Sequence, residues 1–259
     1  MTAVPLPPCV TLWIGDRLGP LERACLRSIM RQGHRLALYC YDPVAGVPEG
    51  VELRDAAGIF PREAIVRHKS GSPSLFSNRF RYELQRRGLG IWVDTDVYLL
   101  SPLDDPAPTL FGREQEGNIA IGILRLPPDS PLLAPLLALF EQPYVPPWIG
   151  LRPRIAAHAR ALLRGRVELG DLPWGVAGPR AVTALAARHG LAGLALPPEV
   201  FYPWSWREAH WIFDPARSLD AWLTPQTRAL HFYNYLLGAA KDAPAAPGSF
   251  MARLQSEGA

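Results

Sequence analysis

Cys9-Val-Thr-Leu-Trp-Ile14, Pro20-Leu-Glu-Arg-Ala-Cys-Leu-Arg-Ser-Ile29 and Arg35-Leu-Ala-Leu-Tyr-Cys-Tyr41 follow one another near the start of the chain. The first run is apolar and β-prone, and Gly15-Asp16 breaks it. Pro20 suits a helix first turn, with Glu22 close behind at the positive end of the helix dipole. Leu21, Ala24, Cys25, Leu26 and Ile29 recur at helical spacing, and Gly33 ends the pattern. The third run reads as a second strand, stopped by Asp42-Pro43. Strand, helix, strand at this spacing is a βαβ unit, so the chain is expected to build an α/β sheet with right-handed crossovers.

Working outward, residues 43–72 read as loop, and a helix is expected from about Pro73 to Arg87, stopped by Gly88. Gly90-Ile-Trp-Val-Asp94 and Ile119 to Leu124 read as strands, and Pro131 to Phe140, Arg154 to Leu163 and Ala181 to His189 as helices. Pro197 and Pro198 lead into an extended segment toward Phe201, and Arg228 to His231 reads as a last strand before a short helix. Residues 142–153 are the best candidate for an excursion from the core. The Ala/Pro/Gly-rich residues 243–259 read as a frayed tail.

Bulk properties narrow the function classes. The chain has 259 residues, of which 48% are hydrophobic and 20% charged, so it is expected to fold rather than stay disordered. Its 28 prolines are about twice the usual share, which points to stiff loops. A net charge of +3 does not mark a nucleic-acid protein. Lys69 and Lys241 are the only lysines, so arginine supplies the positive charge; genome composition and phosphate recognition both account for that. Cys9, Cys25 and Cys40 form no CxxC pair, which fits a reducing compartment. No signal peptide and no membrane-spanning run is read, so the expected location is cytoplasmic.

Ile91-Trp-Val-Asp-Thr-Asp-Val-Tyr-Leu-Leu100 carries the chemistry. In a strand, i and i+2 share a face, so Asp94 and Asp96 are expected to present two carboxylates side by side. In open α/β sheets, ligands bind beyond the carboxyl ends of strands. Paired carboxylates repel unless a cation lies between them, and hard oxygen ligands suit Mn²⁺ or Mg²⁺ with water and phosphate completing the shell. A solvated turn is the plain alternative for a lone DxD. The apolar flanks on both sides and the Ser77, Asn78, Arg81 group on the preceding helix favour the functional reading. A phosphatase DxD is disfavoured, because Tyr98 stands two residues after the second Asp and the triplet comes late in the chain.

Leu12-Trp-Ile-Gly15, Pro20-Leu-Glu-Arg23, Tyr39-Cys-Tyr-Asp42, Phe76-Ser-Asn-Arg-Phe-Arg-Tyr-Glu-Leu84 and Trp92-Val-Asp-Thr-Asp96 appear in that order. The set resembles the DXD-containing sugar transferases of glycosyltransferase family 32, distantly similar to the large clostridial glucosylating toxins and the α-1,4-galactosyltransferases. Ala229-Leu-His-Phe-Tyr-Asn234 resembles the family's closing HxWN element, and Trp174-Gly-Val-Ala-Gly-Pro179 its TGP turn. The match runs well through about residues 10–100 and patchily through 118–237.

The resemblance implies a GT-A fold: a Rossmann-like, nucleotide-sugar-binding α/β fold with a mixed central sheet flanked by helices. It implies one domain over residues 1–242, with a donor half at about 9–104 and an acceptor half at about 105–242. It further implies a hexosyltransferase-type enzyme using a nucleotide-sugar donor, usually UDP-linked, with Mn²⁺ or Mg²⁺ and retention of configuration. Trp13 and Ile14 match the strand end near the base; Tyr41 and Asp42 face base or ribose. Asn78 stands where the family has a sugar-binding Asp, and Arg81 matches the accompanying Arg, beside Ser77. Asp94, Thr95 and Asp96 form the donor and metal motif, with His231 and Asn234 closing over the diphosphate and completing the metal shell. The family Trp is replaced by Tyr233.

The acceptor, a glycan or lipid-linked glycan of the kind found in bacterial surface polysaccharide synthesis, is expected along Asn118 to Leu124 and Trp174 to Pro179. An inverting enzyme would need a base near the acceptor, for which Asp171, Glu208 and Asp214 are the only loosely placed candidates. Arg152, Arg154, Arg160, Arg164, Arg166 and His158, beside Tyr144 and Trp148, read either as a solvated helix face or as a peripheral contact with the inner face of a membrane. Two further readings stay open: a sugar nucleotidyltransferase, disfavoured by the absence of a GxGxR loop after the first strand, and a non-catalytic carbohydrate- or nucleotide-binding protein on a transferase fold.

Overall fold

The computed structural model describes residues 5–259. The expected βαβ unit forms as β1 (Cys9–Trp13), α1 (Pro20–Arg31) and β2 (Leu36–Cys40). The chain continues through β3 (Glu52–Asp55), α2 (Ser74–Arg86), β4 (Ile91–Val93), β5 (Val97–Leu99), β6 (Leu110–Arg113) and β7 (Ile119–Arg125). Helices α3 (Leu133–Glu141), α4 (Leu151–Arg164), α5 (Pro179–Arg188) and α6 (Pro198–Phe201) precede β8 (Ala229–His231), α7 (Asn234–Leu237) and α8 (Phe250–Glu257).

Six strands form one mixed sheet in the order β3-β2-β1-β4-β7-β6. The pairs β1–β2, β1–β4 and β2–β3 are parallel; β7 runs antiparallel to both β4 and β6. This is the mixed α/β architecture, with flanking helices, that the sequence led one to expect. Both faces of the sheet are covered, so neighbouring residues of one strand enter different cores. Trp92 packs with α2, α3 and α5 on one side, while Ile91 and Val93 pack with Leu26 and Ile29 of α1 on the other. No helix among the described residues is long and apolar enough to cross a membrane.

Several local expectations change. Residues 43–72 include an edge strand, β3, besides loop. The segment after Pro197 closes into a helical turn rather than an extended one. The tail is not frayed over its length: Ser249 caps α8 by accepting a hydrogen bond from the Ala252 amide. Phe250, Met251 and Leu254 are buried in a third core with Leu21, Ala24 and Cys25 of α1. The Ala/Pro-rich composition of residues 243–248 hid a short amphipathic helix behind it.

Candidate functional site

The parallel strands β1, β2 and β4 end at one sheet edge, so Trp13, Tyr41 and Asp94 emerge on that side. Strand β4 stops at Val93, and Asp94-Thr95-Asp96 makes the turn into β5, with the Val97 amide donating to the Asp94 carbonyl at 3.1 Å. Strand alternation therefore does not set the two carboxylates; a tight turn does. Strand β5 pairs with β8 in a separate two-stranded sheet, Val97 opposite His231. That pairing carries His231 to the triplet across a long sequence separation. Asp94, Asp96 and His231 each offer a ligand atom within 4.8 Å of the others.

Each carboxylate is held by groups of its own. The Arg81 guanidinium grips Asp94 as a fork, Nη2 to Oδ1 at 3.0 Å and Nη1 to Oδ2 at 3.4 Å. Trp92 Nε1 donates to Asp94 Oδ1 at 2.7 Å, and the Arg81 guanidinium lies over the Trp92 ring at 4.5 Å. The Asp94 amide donates to the Gly122 carbonyl at 2.7 Å, and a Cβ at Gly122 would sit 3.3 Å from Asp94 Oδ2. Arg81 is itself buried and also donates to Ser77 Oγ and the Ile121 carbonyl. Its contacts make it first a positioning residue for Asp94.

Asp96 is buried, faces His231 Nε2 at 3.3 Å through Oδ1, and accepts the Asn234 amide at 2.7 Å through Oδ2. Tyr233 makes that last bond available. It adopts φ 54°, the one non-glycine positive φ among the described residues, and turns the chain so that Asn234 points its N–H at Asp96. A left-handed tyrosine costs on the order of 1–2 kcal/mol, a strain consistent with a built site.

The electrostatics divide the pair. Burial and the Asp96 charge hold Asp94 above the usual carboxylate range, against the pull of Arg81. Burial also opposes ionisation of Asp96, but His231 and the Asn234 amide outweigh it and bring that group below its ordinary value. Burial lowers His231, and the attraction of Asp96 more than reverses this, so its pKa is raised.

Whether the residues fit a cation can be judged from the polar atoms left over. His231 Nδ1 and Asn234 Oδ1 are buried with no hydrogen-bond partner among the described residues. Buried polar atoms are rarely left orphaned without a reason. The two carboxylates and the imidazole, whose ligand atoms lie within 4.8 Å of one another, form a donor set suited to a divalent ion that takes mainly oxygen and accepts one nitrogen.

A second, buried network backs Asn234. Glu22 is completely buried, and its Oε1 accepts from Asn234 Nδ2 at 2.7 Å and from Lys241 Nζ. Lys241 Nζ lies 6.0 Å from the Trp13 ring centroid, and Trp13 Nε1 is a further buried donor without a partner. Glu22 thus does more than favour a helix start.

The other expected residues are distributed around this centre. Asn78 is buried, and a Cβ at Gly178 would lie 2.9 Å from its Nδ2, so the α2 side chain abuts the turn before α5. Ile14 packs on the core beside Tyr41, whose hydroxyl donates to the Phe60 carbonyl at 2.7 Å. Asp42 lies at the same edge, exposed and paired with Arg62 at 2.5 Å. Thr95 is the middle residue of the acidic turn. Trp174 stacks on Tyr235 at 4.8 Å, joining the segment before α5 to α7; both rings are partly exposed. Asp171 is tied to Arg164 and Asp214 to Arg217. Sequence reasoning missed Glu114, a carboxyl raised by burial whose charge is felt at His231. It also missed the Glu22–Asn234–Lys241 link, because Glu22 and Asn234 are 212 residues apart. Trp92 was recoverable, being two residues from Asp94 in the quoted strand.

No protein-family model and no curated protein matches the chain. Among solved structures it is similar to one titled PaToxG Glycosyltransferase, at 13% identity and TM-score 0.42 over 71% of this chain and 71% of that one. It is also similar to apo mouse xyloside xylosyltransferase 1, at 14% identity and TM-score 0.39 over 86% of this chain and 97% of that one.

Proposed function

We propose that this chain is a metal-dependent glycosyltransferase of the hexosyltransferase type. It moves a sugar from a nucleotide-sugar, a UDP-sugar in first place, to a glycan or lipid-linked glycan acceptor, with retention of configuration. Bacterial surface polysaccharide synthesis is the setting this reading favours. The observation that carries it is the Asp94–Asp96–His231 group at the carboxyl edge of the sheet, its three ligand atoms within 4.8 Å of one another.

Asp94, Asp96, His231 and Asn234 would hold Mn²⁺ or Mg²⁺. When bound, the ion neutralises charge on the departing diphosphate. The protein's part is orientation. Arg81 and Trp92 fix the Asp94 rotamer, and Glu22 fixes that of Asn234. Tyr233 aims the Asn234 amide at Asp96. Such preorganisation lowers the barrier because the groups need not reorient as charge develops. Trp13, Ile14, Tyr41 and Asp42 supply the nucleotide side, Ser77 and Asn78 the sugar side, and the Asn118–Leu124 and Trp174–Pro179 segments the acceptor side. Retention needs no separate base when the leaving phosphate oxygen accepts the acceptor's proton.

The test is a screen of UDP- and GDP-sugars for hydrolysis with and without Mn²⁺. One donor should turn over only with metal, and Asp94→Ala and Asp96→Ala should each nearly abolish that turnover. Near-wild-type activity in either variant sinks the metal assignment. Metal-dependent UDP binding without turnover of any donor would favour the non-catalytic binding protein instead.

A further inference from the structure

Helix α4 stands apart from the rest of the molecule. Of its 14 residues only Ala157 is buried. Leu151, Ile155, Leu162 and Leu163 are 63%, 61%, 86% and 88% exposed. Leu151, Ile155 and Leu162 are spaced i, i+4 and i+11, so they share one stripe, and Leu163 widens it at the C-terminal end. Ala157, two residues from Ile155, points the opposite way. The apolar stripe therefore lies off the covered side of α4, open to solvent. Four large apolar side chains, each more than 60% exposed on one short helix, are not the ordinary scatter of surface hydrophobics and mark an interaction site.

The five arginines of the basic segment fall into two groups. Arg164 pairs with Asp171 and Glu168, Arg166 pairs with Glu168, and Arg160 donates to the Asp171 carbonyl. Arg160 and Arg164 fasten α4 to the segment that follows it, and Arg166 is neutralised within that segment. Arg152 and Arg154 form no ion pair or side-chain hydrogen bond among the described residues. By helical spacing they lie on either side of the Leu151–Ile155–Leu162 row, Arg152 between that row and Leu163. An outward apolar stripe edged by unneutralised arginines is the pattern of a helix lying in a membrane interface, with leucines in the acyl boundary and guanidinium groups at anionic headgroups. The same charges oppose a parallel pairing of two α4 helices, which would bring Arg152 and Arg154 of both copies to one seam.

We infer that α4 is a docking surface for an anionic phospholipid bilayer, with Leu151, Ile155, Leu162 and Leu163 inserted and Arg152 and Arg154 at the headgroups. The anchoring segment behind α4 continues through Leu172 to Trp174 and its stack on Tyr235, next to Asn234. A docked bilayer would thus lie on the acceptor side; that corollary rests on the transferase reading, whereas the docking itself does not.

The experiment is co-sedimentation of the full chain with vesicles of phosphatidylcholine alone and of phosphatidylcholine with phosphatidylglycerol. Binding is expected to the mixed vesicles only, and to weaken with added salt. Leu162→Glu/Leu163→Glu should weaken it at least about tenfold. Arg152→Gln/Arg154→Gln should weaken it by about thirtyfold, or about fivefold per arginine, and flatten the salt dependence. All substituted side chains are exposed apart from partly exposed Arg154, so circular dichroism should be unchanged. Absence of binding to the mixed vesicles overturns the inference, as does binding that both variants retain. It is also overturned if light scattering finds a dimer that Leu162→Glu/Leu163→Glu dissolves and no vesicle binding is seen. Metal-dependent donor hydrolysis, measured in solution on the same samples, should be unaltered, which keeps a failure of docking separate from a failure of the transferase reading.

Discussion

Replacing Asp96 by Asn keeps the size of the side chain and removes its charge. In the metal-free protein this removes two opposing terms. Carboxylate repulsion, at no more than 4.8 Å from Asp94, amounts to at least about 3.5 kcal/mol at an effective dielectric of about 20. The attraction of a protonated His231 at 3.3 Å amounts to about 5 kcal/mol on the same footing. The difference, at most about 1.5 kcal/mol, predicts a fall in Tm of no more than a few degrees, at roughly 2–4 °C per kcal/mol for a chain of this size. The response to metal should change far more. At about 100 times its Kd, Mn²⁺ stabilises the folded state by about 2.7 kcal/mol, which raises Tm by about 5–10 °C. Asp96→Asn should abolish that rise while still unfolding cooperatively. The assay is a thermal melt of both proteins across a Mn²⁺ titration, with Ca²⁺ as a second ion. A wild type whose Tm ignores Mn²⁺, or a variant that keeps the full rise, would refute the proposed ligand role.

Gly178→Ala should place a methyl group 2.9 Å from Asn78 Nδ2 and displace that side chain; the cost is about 1–3 kcal/mol, and the readout is a raised KM for donor or acceptor in a protein that still melts as one unit. Glu22→Ala leaves Lys241 and Asn234 Nδ2 without their shared acceptor. It should cost about 3–5 kcal/mol in urea denaturation, and Glu22→Gln markedly less because an acceptor oxygen remains. Deleting residues 249–259 exposes the pockets filled by Phe250, Met251 and Leu254. At about 1.5–3 kcal/mol per side chain the loss approaches the whole stability of a typical domain, so the truncated protein should fail to give a cooperative melt.

The elements closest to the reading frame of the sequence were the most legible. Strand β1, helix α1 and strand β2 fall within a residue or two of their expected bounds, because apolar spacing, Pro20 and Gly33 act locally. Helices α2 and α5 were equally clear, each with a glycine close after its end. Strands β3 and β6 were not read, being short and partly polar, and they form because a neighbouring strand offers a ladder. Residues 243–259 read as a frayed tail in sequence, since the amphipathic turn of α8 matters only once α1 supplies a partner.

The two aspartates were legible in the sequence, although for an imperfect reason: a turn, not strand alternation, brings them together. The sequence by itself determined the α/β class, the acidic pair after a buried strand and the presence of a basic segment near residue 160. These depend on residue type and short-range periodicity. Tertiary structure alone decided that His231 faces Asp96 and that Arg81 clasps Asp94. It also decided that Glu22 reaches Asn234, and which arginines of the basic segment are already neutralised. Each of those is a pairing of charges across the fold, and its partner is chosen by strand pairing and burial rather than by neighbours in the chain.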